Sequence, residues 1–185
     1  MLESLENRVL LSGETGLRAD YFNASTDLFN AQNASVGALP AVTETDQTVN
    51  FNWGASAPVS GVNSSAFEVR WSGQVLSTTA GSYKFTVQTN AAVRLFINNQ
   101  LVINDWTPSS SASSYVSTPI TLAANTMYNI RLDIYQPNAA ADNSVALEWQ
   151  APGSSTPQVV PAANLFPFMQ AMSLGEIRAE LSHRH

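Results

Sequence analysis

The chain has 185 residues, of which 44% are hydrophobic, so it is long enough to bury one substantial core. Only 12% of the residues are charged and the formal net charge is −6, which is a poor match to a nucleic-acid-binding protein, because such proteins need clustered Lys and Arg. The absence of cysteine excludes disulfides, cysteine nucleophiles and thiolate metal sites.

Residues 1–15 are predicted to form a tail outside the folded domain. Within this tail Leu5–Ser12 resembles the Leu-Glu-x-Arg-x-Leu-Leu-Ser segment found near the start of large exported bacterial surface proteins, with Asn7 where that motif usually has proline. The same residues also fit a frayed helix or a disordered tail. Met1–Ser12 lacks the basic and apolar regions of a signal peptide. No apolar run approaches the roughly 20 residues that span a membrane, so we expect a chain that does not cross one.

Short segments in which apolar and polar residues alternate occupy most of the chain. A period of two indicates strands with one buried face, and segments rich in Gly, Pro, Asn and Ser separate them. The sequence therefore predicts an all-β protein, an antiparallel β-sandwich over residues 16–167. In residues 168–185 apolar residues follow a helical spacing, which predicts a short C-terminal helix. The alternating segments are Gly16–Phe22, Val49–Gly54, Phe67–Trp71, Tyr83–Val87, Val93–Ile97, Leu101–Ile103, Tyr128–Tyr135 and Val145–Trp149.

The phase of the alternation also predicts which side chains lie in the core. Trp71 is in phase with Phe67 and Val69, so we expect it to be buried between the sheets. Glu68 and Arg70 fall on the opposite face. We expect Glu68 on an exposed surface, and cross-strand ion pairs linking Glu68, Asp133 and Glu148 to Arg70 and Arg131.

The segment Ser82–Trp106 carries a family resemblance. It contains Gly81–Val87, then Val93–Asn99 with a hairpin turn at Asn98-Asn99, then Leu101–Trp106. This ordered set resembles the central signature of the protective-antigen (PA14) domain: a Gly-x-Tyr-x-Phe strand, an Arg-Leu-aromatic-Ile-Asp-Gly hairpin and a Leu-Val-Ile-Asp-x-Trp strand. The resemblance extends from Gly16–Phe22 to Asn164–Pro167, and it implies the PA14-type β-sandwich.

The resemblance also implies a candidate binding site in the loops. In sugar-binding members of the family, two consecutive aspartates joined by a cis peptide hold a Ca²⁺ that binds sugar hydroxyls. Thr89 and Asn90 stand at those positions here, and they offer only neutral oxygens, whereas calcium favours several anionic ones. The second ligand loop corresponds to Pro137–Asn143, in which the candidate ligands are Asn138, Asp142 and Asn143. We therefore expect no metal site, or weak Ca²⁺ binding at most. The alternative is that all these residues are well-formed turns.

Two aromatic residues are candidates for stacking on a sugar ring. Trp106 closes a strand beside the Ser-rich loop Thr107–Ser114, and it is either a core residue, the interpretation we favour, or a sugar platform. Tyr115 is the second candidate.

Catalysis finds little support in the sequence. The histidines, His183 and His185, both lie at the extreme C-terminus, so no histidine-based triad can form within the domain. We expect a non-catalytic carbohydrate-binding module of an extracellular or cell-surface protein, present as a monomer or as part of a larger chain, whose partner is a glycan or cell-surface polysaccharide. The alternative is a structural or protein-interaction module of a surface assembly that binds no sugar.

Overall fold

A computed structural model describes residues 14–30 and 37–168 of the chain. These residues form strands and one short 3₁₀ helix, Ala162–Asn164, and they include no helix that is long and apolar enough to cross a membrane. The predicted C-terminal helix lies outside the described residues apart from Phe168, and the N-terminal motif Leu5–Ser12 lies wholly outside them. The strands are β1 Leu17–Asn23, β2 Val42–Asp46, β3 Asn50–Gly54, β4 Phe67–Ser77, β5 Gly81–Thr89, β6 Ala92–Ile97, β7 Gln100–Asp105, β8 Ser113–Val116, β9 Ile120–Leu122, β10 Thr126–Gln136, β11 Asn143–Gln150, β12 Gln158–Val159 and β13 Leu165–Phe166.

Two antiparallel sheets form the sandwich and confirm the predicted fold. The larger sheet has the order β2-β1-β4-β10-β6-β7, with β13 paired to β4. The smaller sheet has the order β12-β11-β5-β8, with β3 on β11 and β9 on β5. The β6–β7 hairpin turns at Asn98 and Asn99, whose φ angles of 51° and 61° are the left-handed values that Asn tolerates.

The core lies between the sheets and is built from the apolar phase of each strand. Trp71 is fully buried there, as predicted, and its ring lies edge-on to Tyr21. The Trp71 Nε1 group and the Tyr21 hydroxyl each donate a 2.7 Å hydrogen bond to Asp46 Oδ2. Burying these polar groups is tolerated because each has a partner. Burial raises the pKa of the Tyr21 hydroxyl far above its usual value, and its hydrogen bond to the Asp46 carboxylate adds to the effect.

The polar phase of the larger sheet differs from the prediction. Glu68, expected on an exposed face, is 0% exposed, and so is Asp133 on the neighbouring strand. The cause is the loop of residues 24–30, which follows β1 and lies over this outer face. Phe29 packs there against Phe22, and the backbone N–H of Leu28 donates to Glu68 Oε1 at 2.5 Å.

Candidate functional site

The predicted site residues sit at one end of the sandwich, because strand order and direction bring their loops together. β5 and β10 end there, at Thr89 and Gln136, and β6 and β11 begin there. β7 also ends at this side, because Asp105 is opposite Val93. The loops 90–91, 106–112 and 137–142 are therefore neighbours, and we call this set the loop end.

Three of the predicted residues form one hydrogen-bonded network beneath the loop end. Asn143 Oδ1 accepts from Asn90 Nδ2 at 3.3 Å and from Gln136 Nε2 at 2.9 Å. Asn90 Oδ1 accepts from the backbone N–H of Ser144 at 3.3 Å. Thr89 Oγ1 donates to the backbone carbonyl of Ser144 and accepts from the N–H of Ala91. All four side chains are buried, so their polar atoms hold the loops in place.

The other two loop residues differ in position, because Asn138 and Asp142 are both exposed on the 137–142 loop. The 106–112 loop is connected to the 90–91 loop by a 2.9 Å hydrogen bond from the N–H of Ser109 to the carbonyl of Asn90. Exposed hydroxyls of Ser110 and Ser111 lie on that loop. The loop end thus presents amide, hydroxyl and carboxylate groups above a fixed base.

The donor set at this end does not suit calcium. The oxygens of Thr89, Asn90 and Asn143 already take part in the buried network, and Asp142 supplies a single exposed carboxylate. Ca²⁺ takes roughly six to eight oxygen ligands. Nowhere in residues 14–30 and 37–168 do three or more His, Cys, Asp or Glu side chains form a group that could hold a metal ion.

The two aromatic candidates lie away from this network. Trp106 does not lie in the core between the sheets, so that interpretation was wrong. It is half-buried on the outer face, where Nε1 donates to Asp27 Oδ2 at 2.5 Å and the Arg94 guanidinium lies 4.1 Å from the ring centroid. The Tyr135 ring stacks on the Trp106 ring, with the two ring centroids 6.3 Å apart. Tyr115 is half-buried and packs against the core.

The sequence analysis predicted ion pairs on the outer face of the larger sheet but missed the extent of the charged cluster there. One row of residues crosses five strands, in the order Asp20, Arg70, Asp133, Arg94 and Asn104. Asp133 accepts a two-pronged contact from Arg70, at 2.7 and 2.9 Å, and lies 3.3 Å from the Arg131 Nε. The Arg70–Asp133 contact confirms the predicted cross-strand ion pair, whereas Arg131 and Asp133 lie on the same strand, β10. The cluster was visible in the sequence as charged residues at the polar positions of three adjacent strands, β4, β10 and β6.

Glu68 lies at the edge of this cluster in an unusual electrostatic environment. Its Oε2 atom is buried and has no hydrogen-bond partner as a carboxylate. Burial raises the pKa of Glu68 to about 8, the Leu28 N–H opposes the rise, and the charges of Asp27 and Asp133 add to it. At neutral pH Glu68 is therefore mainly protonated, and it lies beside Asp27 as a neutral acid.

Comparisons with known proteins agree with this architecture. The family model described as "PA14 domain" matches residues 13–162. The anti-sigma-I factor RsgI3 of Acetivibrio thermocellus is 30% identical over 153 residues, which cover 83% of this chain but 21% of that protein. An anti-sigma factor domain-containing protein from Clostridium clariflavum has a solved structure with a TM-score of 0.70 and 26% identity, covering 86% of this chain and 49% of that one. The chain therefore spans a fifth to a half of the length of these relatives.

A solved sugar-binding PA14 domain from an RTX adhesin is also similar. It has a TM-score of 0.62 and 14% identity, and the match covers 83% of this chain and 98% of that one. At this identity the likeness shows the fold alone.

Proposed function

Because the chain belongs to the PA14 domain family, we propose that it is a non-catalytic glycan-binding module of an exported or cell-surface protein. The loop end binds the saccharide in this proposal. The observation that carries it is that the loop residues have two different roles. Asn90 and Asn143 are buried and hold the loops in place. Asn138 and Asp142 are exposed above them. Pre-organised polar groups can bind sugar hydroxyls without first paying for ordering of the loops.

A non-catalytic role is supported by the environment of the acidic residues. Glycoside hydrolysis uses two carboxyl groups that flank a bond in an open cleft. Glu68 and Asp133 are fully buried, and the loop 24–30 holds Glu68 through the Leu28 N–H. Asp142 lies on a different loop and is exposed.

A glycan array probed with the purified protein tests the proposal, with Ca²⁺ in one arm and a chelator in the other. The variant that combines Asn138→Ala with Asp142→Ala should lose the array signal. Thr121→Ala is the matched control, because Thr121 is exposed and pairs with Ser82 at the opposite end of β5. A signal that both proteins lose, or that neither loses, would contradict binding at the loop end.

A second candidate function is a structural or protein-interaction module that binds no sugar. Two observations favour it: the buried loop network satisfies its own polar groups, and two of the three similar proteins described above are anti-sigma factor proteins. An array that stays silent in both arms at high protein concentration would favour this candidate.

A further inference from the structure

A second concave surface lies on the outer face of the larger sheet, at the opposite end from the loops. It is a cleft of about 300 Å³ lined by Ser72, Phe96, Asn99, Asn129, Arg131 and Phe168. β6 begins at the loop end with Ala92 and reaches the cleft near Phe96. At roughly 3.3 Å per residue the two sites are therefore more than about 13 Å apart.

Arg131 places a positive charge at the wall of this cleft, although the formal net charge of the whole chain is −6. Among the described residues, Arg70, Arg94 and Arg131 are clustered on this face, and Asp133 contacts two of them. Arg94 makes its hydrogen bonds to neutral groups, the Phe29 carbonyl at 2.8 Å and the Asn104 side chain at 3.2 Å.

The acidic groups nearby do not balance these cations. Asp27 is the further carboxylate of the cluster, and it accepts from the Trp106 indole. Glu68 is mainly neutral at pH 7, and Asp20 is paired with Arg18. Three guanidinium groups of the described chain thus lie near two carboxylates, which favours an anionic ligand.

The remaining lining groups are suited to a sugar. The Arg131 guanidinium lies 4.0 Å from the centroid of the Phe96 ring, which fixes its plane at the wall of the cleft. Asn99 and Asn129 contribute amide groups, and each primary amide offers both donors and acceptors to hydroxyls. Phe168 is 47% exposed, and its ring supplies an apolar face for the C–H groups of a pyranose.

We propose that this cleft binds a carboxylated saccharide of the uronic-acid class, with the carboxylate beside Arg131 and the hydroxyls at Asn99 and Asn129. The site is separate from the loop end and does not depend on glycan binding there. An acidic peptide would supply the same charge, but the two amides and the Ser72 hydroxyl match an array of hydroxyls better than a peptide side chain.

The test is calorimetric titration of the full chain with trigalacturonic acid, its methyl ester and a glutamate tetrapeptide. The methyl ester keeps the hydroxyls and removes the charge. We expect the acid to bind at least about tenfold more tightly than the ester or the peptide at low salt, and its affinity to fall as salt rises.

A pair of adjacent substitutions locates the site. Asn98 and Asn99 are both exposed, both lie in the left-handed turn, and only Asn99 lines the cleft. Asn99→Asp puts a negative charge in the cleft and should weaken binding of the acid about tenfold, whereas Asn98→Asp should change it less than about twofold. Asn129→Ala should also weaken binding of the acid, without any change of charge. Asp142→Ala at the loop end should leave the affinity for the acid unchanged.

Three results would overturn the proposal: equal affinity for the acid and its ester, equal losses from Asn98→Asp and Asn99→Asp, or no binding of the acid at millimolar concentration. Tighter binding of the glutamate peptide would assign the cleft to a protein partner and overturn it as well. None of these results bears on the loop end, because the array experiment reads that site through Asn138 and Asp142.

Discussion

The carboxyl group of Glu68 links the loop 24–30 to the sheet. Its protonation state decides whether it stabilises or destabilises this contact. As a neutral acid Glu68 accepts from the Leu28 N–H at Oε1, and it places no negative charge beside Asp27. As an anion it would repel Asp27 and lie in a site from which water is excluded. The folded state therefore holds this proton more tightly than the unfolded chain does.

The stability of the protein should consequently depend on pH through Glu68. The unfolded chain releases the proton near its ordinary pKa of 4.5, and the folded chain releases it near 8. Stability from this group is complete below pH 4.5, falls as the pH rises towards 8, and changes no further above that. Glu68→Gln keeps the acceptor and the donor but does not titrate. Its advantage over the native chain should grow from near zero at pH 4 to on the order of 4 kcal/mol at pH 8.

Urea unfolding of both proteins at a series of pH values measures this difference, because the other titrating groups cancel between them. Parallel stability profiles for Glu68→Gln and the native chain would show that Glu68 does not hold its proton.

Trp71 provides a second test at this scale. It is fully buried, packs against Tyr21 and Phe51, and donates to Asp46. Trp71→Ala should lower the free energy of unfolding by about 3–5 kcal/mol. Lys84→Ala, at an exposed position of β5, should change it by less than about 0.5 kcal/mol. Chemical denaturation compares the two, and similar losses would mean that Trp71 contributes little to the core.

Single residues also show how far the sequence predicts the site. Alternation placed Trp71 correctly, because the period of a strand is a local property. It placed Glu68 on an exposed face, because nothing local shows that a loop 40 residues away will cover it. The family resemblance grouped Thr89, Asn90 and Asn143, but the burial of their polar atoms in a shared network depends on partners such as Gln136.

Among the structural elements, β13 pairs with β4 in the larger sheet beyond the point where the pairing of β4 with β1 ends. Phe166 is opposite Gln74, and a Cβ atom at Gly73 would lie 2.2 Å from the Phe166 carbonyl oxygen and 2.8 Å from Leu17 Cδ2. Backbone cannot yield cheaply at such distances. The alternation predicts a strand over Phe67–Trp71, whereas β4 continues to Ser77, so the role of Gly73 is visible only with β13 in position.

Gly73→Ala should therefore displace β13 and lower stability by about 1–3 kcal/mol. The N–H of Gly16 donates to the Leu165 carbonyl at 2.7 Å, so hydrogen exchange of the Gly16 amide should accelerate. Gly37→Ala is the control, because a Cβ there has no neighbour within 4 Å, and it should leave the Gly16 amide protected. Unchanged protection in Gly73→Ala would contradict this account of β13.

At the scale of the whole molecule, the bond between Gly16 and Leu165 joins the two ends of the predicted domain. All thirteen strands of the described residues lie between Gly16 and Pro167. A protein reduced to residues 16–167 should therefore unfold cooperatively, with a midpoint within about 4 °C of the full chain, which corresponds to about 1–2 kcal/mol at most. Calorimetry measures both midpoints, and a molten or aggregated product would refute these domain boundaries.

The last prediction concerns calcium, for which the family resemblance and the residues of this chain disagree. The resemblance implies that Thr89 and Asn90 stand where sugar-binding members of the family hold the metal, and in this chain the oxygens of both side chains bond to Ser144. Asp142 alone cannot supply the charge and the roughly six to eight oxygens that Ca²⁺ takes. We expect millimolar Ca²⁺ to leave the unfolding midpoint unchanged, and saccharide binding at the loop end to survive chelation. Titration of Ca²⁺ into chelator-treated protein checks the first expectation directly. A micromolar site that Asp142→Ala abolishes would show that backbone and amide oxygens replace the two aspartates, whereas a site that Asp142→Ala leaves intact would place the metal elsewhere in the chain.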